Sequence, residues 1–242
     1  MANFGLIGHP LSHSFSQEYF NKKFDNETLN NRYLNLDLIE ISNIKSRVEE
    51  AKIDGFNVTI PYKQAIIPYL DSLDNSAQEI GAVNCVKIKD GKWVGFNTDY
   101  IGFSRSLLPL LNKNHRSALI LGTGGASKAI AYALGKMNIK FDFVSREKIN
   151  GMLYSELNGK MSEYQIVINT TPVGTFPDIE FCPDIPFAEI NASHICYDLV
   201  YNPARSLFLE KANSNGAIVK NGREMLEIQA EEAWEIWQSD KY

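Results

Sequence analysis

Apolar and polar positions along this chain follow two alternating periods. Phe4 to Ile7 is a short apolar run closed by Gly8 and predicts a first strand. Glu18, Tyr19, Phe20 and Phe24 predict a helix after it, with Ser16 placed to cap its start. Tyr33 to Leu38 alternates as a strand does, and Ile44 to Ala51 has amphipathic helical spacing. Phe56, Val58 and Ile60 alternate with Asn57 and Thr59, giving a strand with one polar face that Pro61 stops. Ile80 to Ile88 reads as another strand, Asp90-Gly91 as a two-residue hairpin turn, and Trp93 to Phe96 as the returning strand. A helix is predicted from Tyr100 to Leu111.

The second half changes character. Ala118 to Leu121 is apolar throughout and too short for a helix, so it predicts a buried parallel strand. The turn Gly122-Thr123-Gly124-Gly125-Ala126-Ser127 follows, and then an alanine-rich helical stretch from Lys128 to Leu134. Ile139 to Val144, Gln165 to Asn169, Ile195 to Val200 and Ala217 to Val219 predict four more strands. A final helix starts near Glu224 and carries Leu226, Gln229 and Ala233 on one face. The pattern is that of an α/β protein.

Bulk properties remove several functions. The 242 residues suffice for one large domain or two smaller ones. A net charge of -5 offers no electrostatic footprint for nucleic acid or an anionic membrane. No apolar run approaches the ~20 residues that span a bilayer, and the N-terminus lacks signal-peptide character, so a cytoplasmic protein is expected. Cys85, Cys182 and Cys196 are widely spaced and odd in number, as reduced cysteines are. Without an HExxH motif or similar ligand spacing, no metal is expected.

Strand, glycine turn and helix in that order form the first half of a mononucleotide-binding βαβ unit. Backbone N–H groups at such a turn approach a pyrophosphate, with the helix dipole behind them. The next strand should end at the adenosine ribose, about 20 residues further on. There the chain runs Ser145-Arg146-Glu147-Lys148. Arg146 and Lys148 can pair with a 2′-phosphate, whereas Glu147 would repel it, so the residues favour NADP and leave NAD open. Lys63, Asn84 and Asp99 all fall at strand ends, the edge where α/β sheets bind ligands. Two of them also have a plainer reading: Lys63 as a solvated lysine, Asp99 as a helix cap. Gln229 interrupts an apolar stripe and needs polar partners, either a ligand or nearby backbone.

With these stretches in hand, the chain resembles the shikimate/quinate dehydrogenase family. The resemblance is carried by His13-Ser14-Phe15-Ser16, Asn57-Val58-Thr59-Ile60-Pro61-Tyr62-Lys63, Gly81-Ala82-Val83-Asn84 and Asn97-Thr98-Asp99. The glycine turn, Asn169-Thr170-Thr171-Pro172, Tyr197-Asp198-Leu199-Val200-Tyr201 and Gly222 with Met225-Leu226-Glu227-Ile228-Gln229 complete it. It implies two domains: an α/β substrate domain over 1–99 plus 222–242 and a Rossmann-like NADP domain over 100–221. It implies reversible NADP-dependent reduction of 3-dehydroshikimate to shikimate in aromatic amino-acid biosynthesis, with quinate or NAD use as the alternative. By position, Lys63 and Asp99 match the family's catalytic pair. Ser14, Ser16, Thr59, Asn84, Tyr201 and Gln229 match its substrate contacts. Gly122, Gly124, Gly125, Ala126, Ser145, Arg146, Lys148, Thr170, Leu199 and Gly222 match its cofactor contacts. Beyond these small molecules a monomer or homodimer is expected. The chain departs from the family at Ser145-Arg146-Glu147, where many members have Asn-Arg-Thr, and it is short after Ser145.

Overall fold

The computed structural model describes residues 1–11, 14–148 and 151–240. The chain forms two compact units, one of Met1–Thr98 with the segment from Ala230 onward, the other of Asp99–Gln229. The first unit runs β1 (Asn3–Gly8), α1 (Phe15–Asn26), β2 (Arg32–Asp37), α2 (Ile44–Glu50), β3 (Gly55–Val58), β4 (Ser72–Leu73), α3 (Asn75–Ile80), β5 (Cys85–Lys89) and β6 (Lys92–Phe96). Its sheet has the order β2-β1-β3-β5-β6-β4, parallel where β1 meets β2 and β3 and antiparallel where β5 meets β3 and β6. The β5–β6 turn is Asp90-Gly91 with φ of 52° and 73°, the left-handed pair that a two-residue hairpin needs.

The second unit runs α4 (Asp99–Leu107), β7 (Ser117–Leu121), α5 (Gly125–Lys136), β8 (Lys140–Ser145), β9 (Met152–Leu153), β10 (Ile166–Asn169), β11 (Ile195–Asp198), α6 (Leu207–Ser214) and β12 (Ile218–Lys220). The last helix, α7 (Arg223–Gln238), contributes its first two turns here and the remainder to the first unit. The six strands are parallel throughout, in the order β9-β8-β7-β10-β11-β12. Numbered within the unit this is 3-2-1-4-5-6, and the order reverses between β7 and β10. Ala118 to Leu121 and Ile166 to Ile168 are wholly buried, as strands covered on both faces must be.

Several expectations are corrected. Ile80 to Ile88 is not one strand. Asp74 accepts the N–H groups of Ser76 at 3.0 Å and Ala77 at 2.9 Å, starting α3, and Gly81 ends it at φ 67° before β5. The cap of α1 is Ser14, whose Oγ accepts the Gln17 N–H at 3.3 Å; Ser16 instead lies buried in the first turn. Helix α4 stops at Leu107, because Pro109 forces a tighter turn over Leu108–Leu110. Helix α5 starts three residues before the alanine-rich stretch, and α6 was not foreseen.

Aromatic packing fixes α7 in the first unit. Trp237 stacks on Phe4 with ring centroids 4.7 Å apart, meets Phe20 at 5.4 Å, and donates its indole N–H to the Val86 carbonyl at 3.0 Å. Gly55 makes room for it: a Cβ there would lie 2.6 Å from the indole. Trp237→Ala is therefore expected to cost ~3–5 kcal/mol, read as a lowered urea midpoint in far-UV circular dichroism.

Candidate active site

In the first unit two of the expected substrate residues, Ser16 and Asn84, sit on one chain of hydrogen bonds. The Tyr33 hydroxyl donates to Asn57 Oδ1 at 2.7 Å and shares a hydrogen bond with the Ser16 hydroxyl. Burial holds the Tyr33 phenol well above its usual range, with the Ser16 contact acting against it. Asn57 Nδ2 donates to the Asn84 carbonyl at 3.1 Å. Asn84, itself buried, accepts the Thr98 N–H at 2.6 Å on Oδ1 and donates Nδ2 to Thr98 Oγ1 at 3.0 Å. Thr98 is the residue before Asp99. Lys63 is half-buried, and its carbonyl accepts the Val83 N–H at 2.7 Å, one residue before Asn84. The backbones that carry Lys63 and lead into Asp99 are thus tied to the same two residues, Val83 and Asn84. Thr59, at the carboxyl end of β3, bonds through its N–H to the Ile7 carbonyl at 2.8 Å. Ser14 is half-buried at the head of α1, while Ser12 and the motif's His13 lie outside the described residues.

In the second unit Asp99 is the buried first residue of α4. Gln229, also buried, donates Nε2 to the Leu226 carbonyl at 3.1 Å, so backbone supplies one of its partners. Helices α4 and α7 cross at Gly102, where a Cβ would strike the Met225 carbonyl and press on Gln229 Cβ at 3.1 Å. Tyr201 is half-buried, three residues beyond β11.

Of the expected cofactor residues, the glycine turn and Thr170 flank the point where the strand order reverses, and the others lie at the ends of β8, β11 and β12. Gly122 takes φ 107°, and a Cβ there would meet Thr170 Oγ1 at 2.9 Å. Thr170 Oγ1 in turn donates to the Leu121 carbonyl at 2.7 Å, locking the loop after β10 onto the loop after β7. Gly124 caps α5 without a side-chain bond, and a Cβ added to it would meet nothing within 4 Å. Together with Gly125 and Ala126 it leaves first-turn N–H groups of a 12-residue helix bare of side-chain acceptors, a donor set that fits a pyrophosphate. At the end of β8 the Ser145 hydroxyl donates to the Glu147 carbonyl, Arg146 is exposed, and Lys148 Nζ lies 3.0 Å from Glu156 Oε1. The Leu199 N–H donates to the Asn169 carbonyl at 2.9 Å. A Cβ on Gly222 would collide with the Leu199 carbonyl, so the chain passes there only as glycine.

A buried carboxylate holds these loops, and sequence reasoning gave it no role. Asp198 Oδ1 accepts Asn169 Nδ2 at 2.9 Å and the Val200 N–H at 3.0 Å, while Oδ2 accepts the Ser206 hydroxyl that caps α6. Asn169 Oδ1 also accepts the Thr171 N–H at 3.0 Å and its hydroxyl at 2.6 Å. Burial pushes the Asp198 carboxyl up to about 6 against the pull of Ser206, Val200 and Asn169. The visible signal was a polar residue ending each of two apolar strands, Asn169 and Asp198.

A parallel sheet in this order, with a glycine turn and a bare helix start at its reversal, gives the second unit the architecture of a dinucleotide-binding unit. Residues 6–86 match the family model for the shikimate dehydrogenase substrate binding domain. Shikimate dehydrogenase (NADP(+)) of Methanococcus maripaludis strain C6 is 42% identical, over 98% of this chain and 91% of its own. The crystal structure of shikimate dehydrogenase from Aquifex aeolicus superposes with a TM-score of 0.89 at 34% identity, covering 98% of this chain and 92% of that one. Shikimate 5-dehydrogenase from Thermus thermophilus, in complex with NADP(H) and shikimate, gives 0.88 at 31% identity over 98% and 94%. The chain belongs to the shikimate dehydrogenase family.

The Asp198 carboxyl has a testable consequence. Its native value near 6 exceeds the ordinary 3.8, so the folded state binds the extra proton between these values. Its contribution to stability is complete below about pH 4 and is lost as pH rises through about 6. The unfolding free energy of Asp198→Asn relative to wild type should therefore shift in the variant's favour by up to ~3 kcal/mol between pH 4 and pH 7, measured by urea unfolding at each pH.

Proposed function

We propose that this protein is a shikimate dehydrogenase, catalysing the reversible NADP-dependent reduction of 3-dehydroshikimate to shikimate in aromatic amino-acid biosynthesis. What carries this reading is that 42% identity to a shikimate dehydrogenase (NADP(+)) extends over 98% of the chain, so it spans both the Lys63 motif and the glycine turn. Residues 1–99 with 222–242 serve as the substrate domain and 100–221 as the NADP domain of a cytoplasmic monomer or homodimer. Ser14 and Ser16 bind the substrate carboxylate. Thr59, Asn84, Tyr201 and Gln229 bind carboxylate or ring hydroxyls.

When bound, NADPH supplies the hydride that C3 of the ketone receives. Lys63 as an ammonium donates the proton to O3 in that direction and takes it up in the reverse one, while Asp99 orients the hydroxyl and the lysine. The first-turn N–H groups at Gly124, Gly125 and Ala126 hold the pyrophosphate, with Gly122 shaping the turn. Ser145, Arg146 and Lys148 hold the 2′-phosphate ribose, and Thr170, Leu199 and Gly222 line the nicotinamide side. The hydrogen bonds from the Val83 N–H to the Lys63 carbonyl and from the Thr98 N–H to Asn84 support these assignments, since they fix the backbone on which each catalytic group stands.

An absorbance assay at the nicotinamide band, with shikimate and quinate each paired with NADP and NAD, should be fastest for shikimate with NADP. Turnover confined to quinate, or none with any pair, would overturn the assignment. Lys63→Ala should lose ~10²–10⁴-fold in kcat with substrate binding retained, and near-wild-type turnover would remove Lys63 from the proton path.

A further inference from the structure

The two cations beyond β8 have different surroundings. Arg146 lies near enough to Tyr154 for its charge to act on the phenol, lowering it against the larger, raising effect of burial. Lys148 is held instead by Glu156, Nζ to Oε1 at 3.0 Å. The other oxygen of Glu156 accepts the Leu153 N–H at 2.7 Å. These two bonds, the backbone one first, hold Glu156 below the usual carboxylate range, so it is ionised at neutral pH. Glu147, beside the cations in sequence, is exposed and uses its main-chain carbonyl for the Ser145 hydroxyl. The acid that engages Lys148 is thus eight residues further on, across β9, on the short turn of Tyr154–Glu156.

We propose that Glu156 is a specificity-determining residue for the cofactor: by engaging Lys148 it leaves Arg146 as the principal cation for the ribose 2′-phosphate and narrows the preference for NADP over NAD. The proposal rests on the NADP-dependent reading above and adds the residue that sets its strictness. Its size is bounded by the setting. Lys148 is 68% exposed and Glu156 34%, so the pair is screened by water and salt and competes only weakly with a phosphate. NAD lacks the 2′-phosphate and should be indifferent to the exchange. Glu156→Gln keeps an oxygen for the Leu153 N–H and so preserves the turn while releasing the lysine.

The test is calorimetric titration of the full chain with NADP+ and with NAD+, in wild type, Glu156→Gln, Lys148→Met and the double variant, at low and at 0.3 M salt. Glu156→Gln should tighten NADP+ binding two- to five-fold and leave NAD+ unchanged. The gain should vanish in the double variant and shrink at high salt, and Lys148→Met alone should weaken NADP+ binding by two-fold at most, the share of the contact that Glu156 leaves to the lysine. A larger loss in Lys148→Met would overturn the proposal, since Lys148 would then hold the phosphate at full strength with Glu156 in place. Equal tightening of NAD+, or no tightening at all, would overturn it too. These outcomes leave the shikimate assay untouched, whereas a wild type that binds NAD+ but not NADP+ would sink the cofactor assignment along with the proposal.

Discussion

The hydrogen bond from the Asn169 amide to the buried Asp198 carboxylate is the constraint on which the dinucleotide-binding unit depends. Parallel strands end with unpaired backbone groups and loops free to diverge, and a ligand edge needs those loops to converge. Asp198 draws in the Val200 N–H, the Ser206 hydroxyl and Asn169, and Asn169 gathers Thr171. The carboxylate so held is cut off from solvent, and its raised pKa records that ionising it there opposes folding. The charge is therefore better understood as a means of fixing the geometry of two loops than as a source of stability.

The first unit solves the corresponding problem with neutral groups. A tyrosine, two asparagines and a threonine form a line of hydrogen bonds from the Tyr33 hydroxyl to the residue before α4. Amides suit this use because each offers both donors and an acceptor, so one buried side chain ties two strands together. The arrangement positions backbone: Asn84 holds Thr98 at the start of α4, and its neighbour Val83 bonds the Lys63 carbonyl.

Much of this was legible in the chain. The apolar runs of β7 and β10, of four residues and three, the glycine turn and the Asp90-Gly91 hairpin each rest on a local physical requirement, namely two-sided burial, a positive φ and a left-handed pair. What stayed hidden was mostly non-local. Nothing near Tyr33 points to Asn57 across 24 residues, and nothing near Lys148 favours Glu156 over the adjacent Glu147. Helix α3 was missed for another reason: Asp74 and Gly81 bracket a stretch whose end continues as an apolar run, so helix and strand merged into one segment. Ser14 and Ser16 show the same difficulty on a smaller scale, since either hydroxyl could start a helix and only the chain's path selects one.

The aromatic anchor of α7 has an optical corollary. All three tryptophans of the chain, Trp93, Trp234 and Trp237, belong to the unit that includes the amino terminus. Emission from indole is thus a private signal of that unit, with Trp237 shielded from solvent beneath Phe4 and Phe20. The dinucleotide-binding unit contributes only tyrosine light, so a tryptophan placed there by substitution would give each half of the molecule its own colour and let their melting be watched separately.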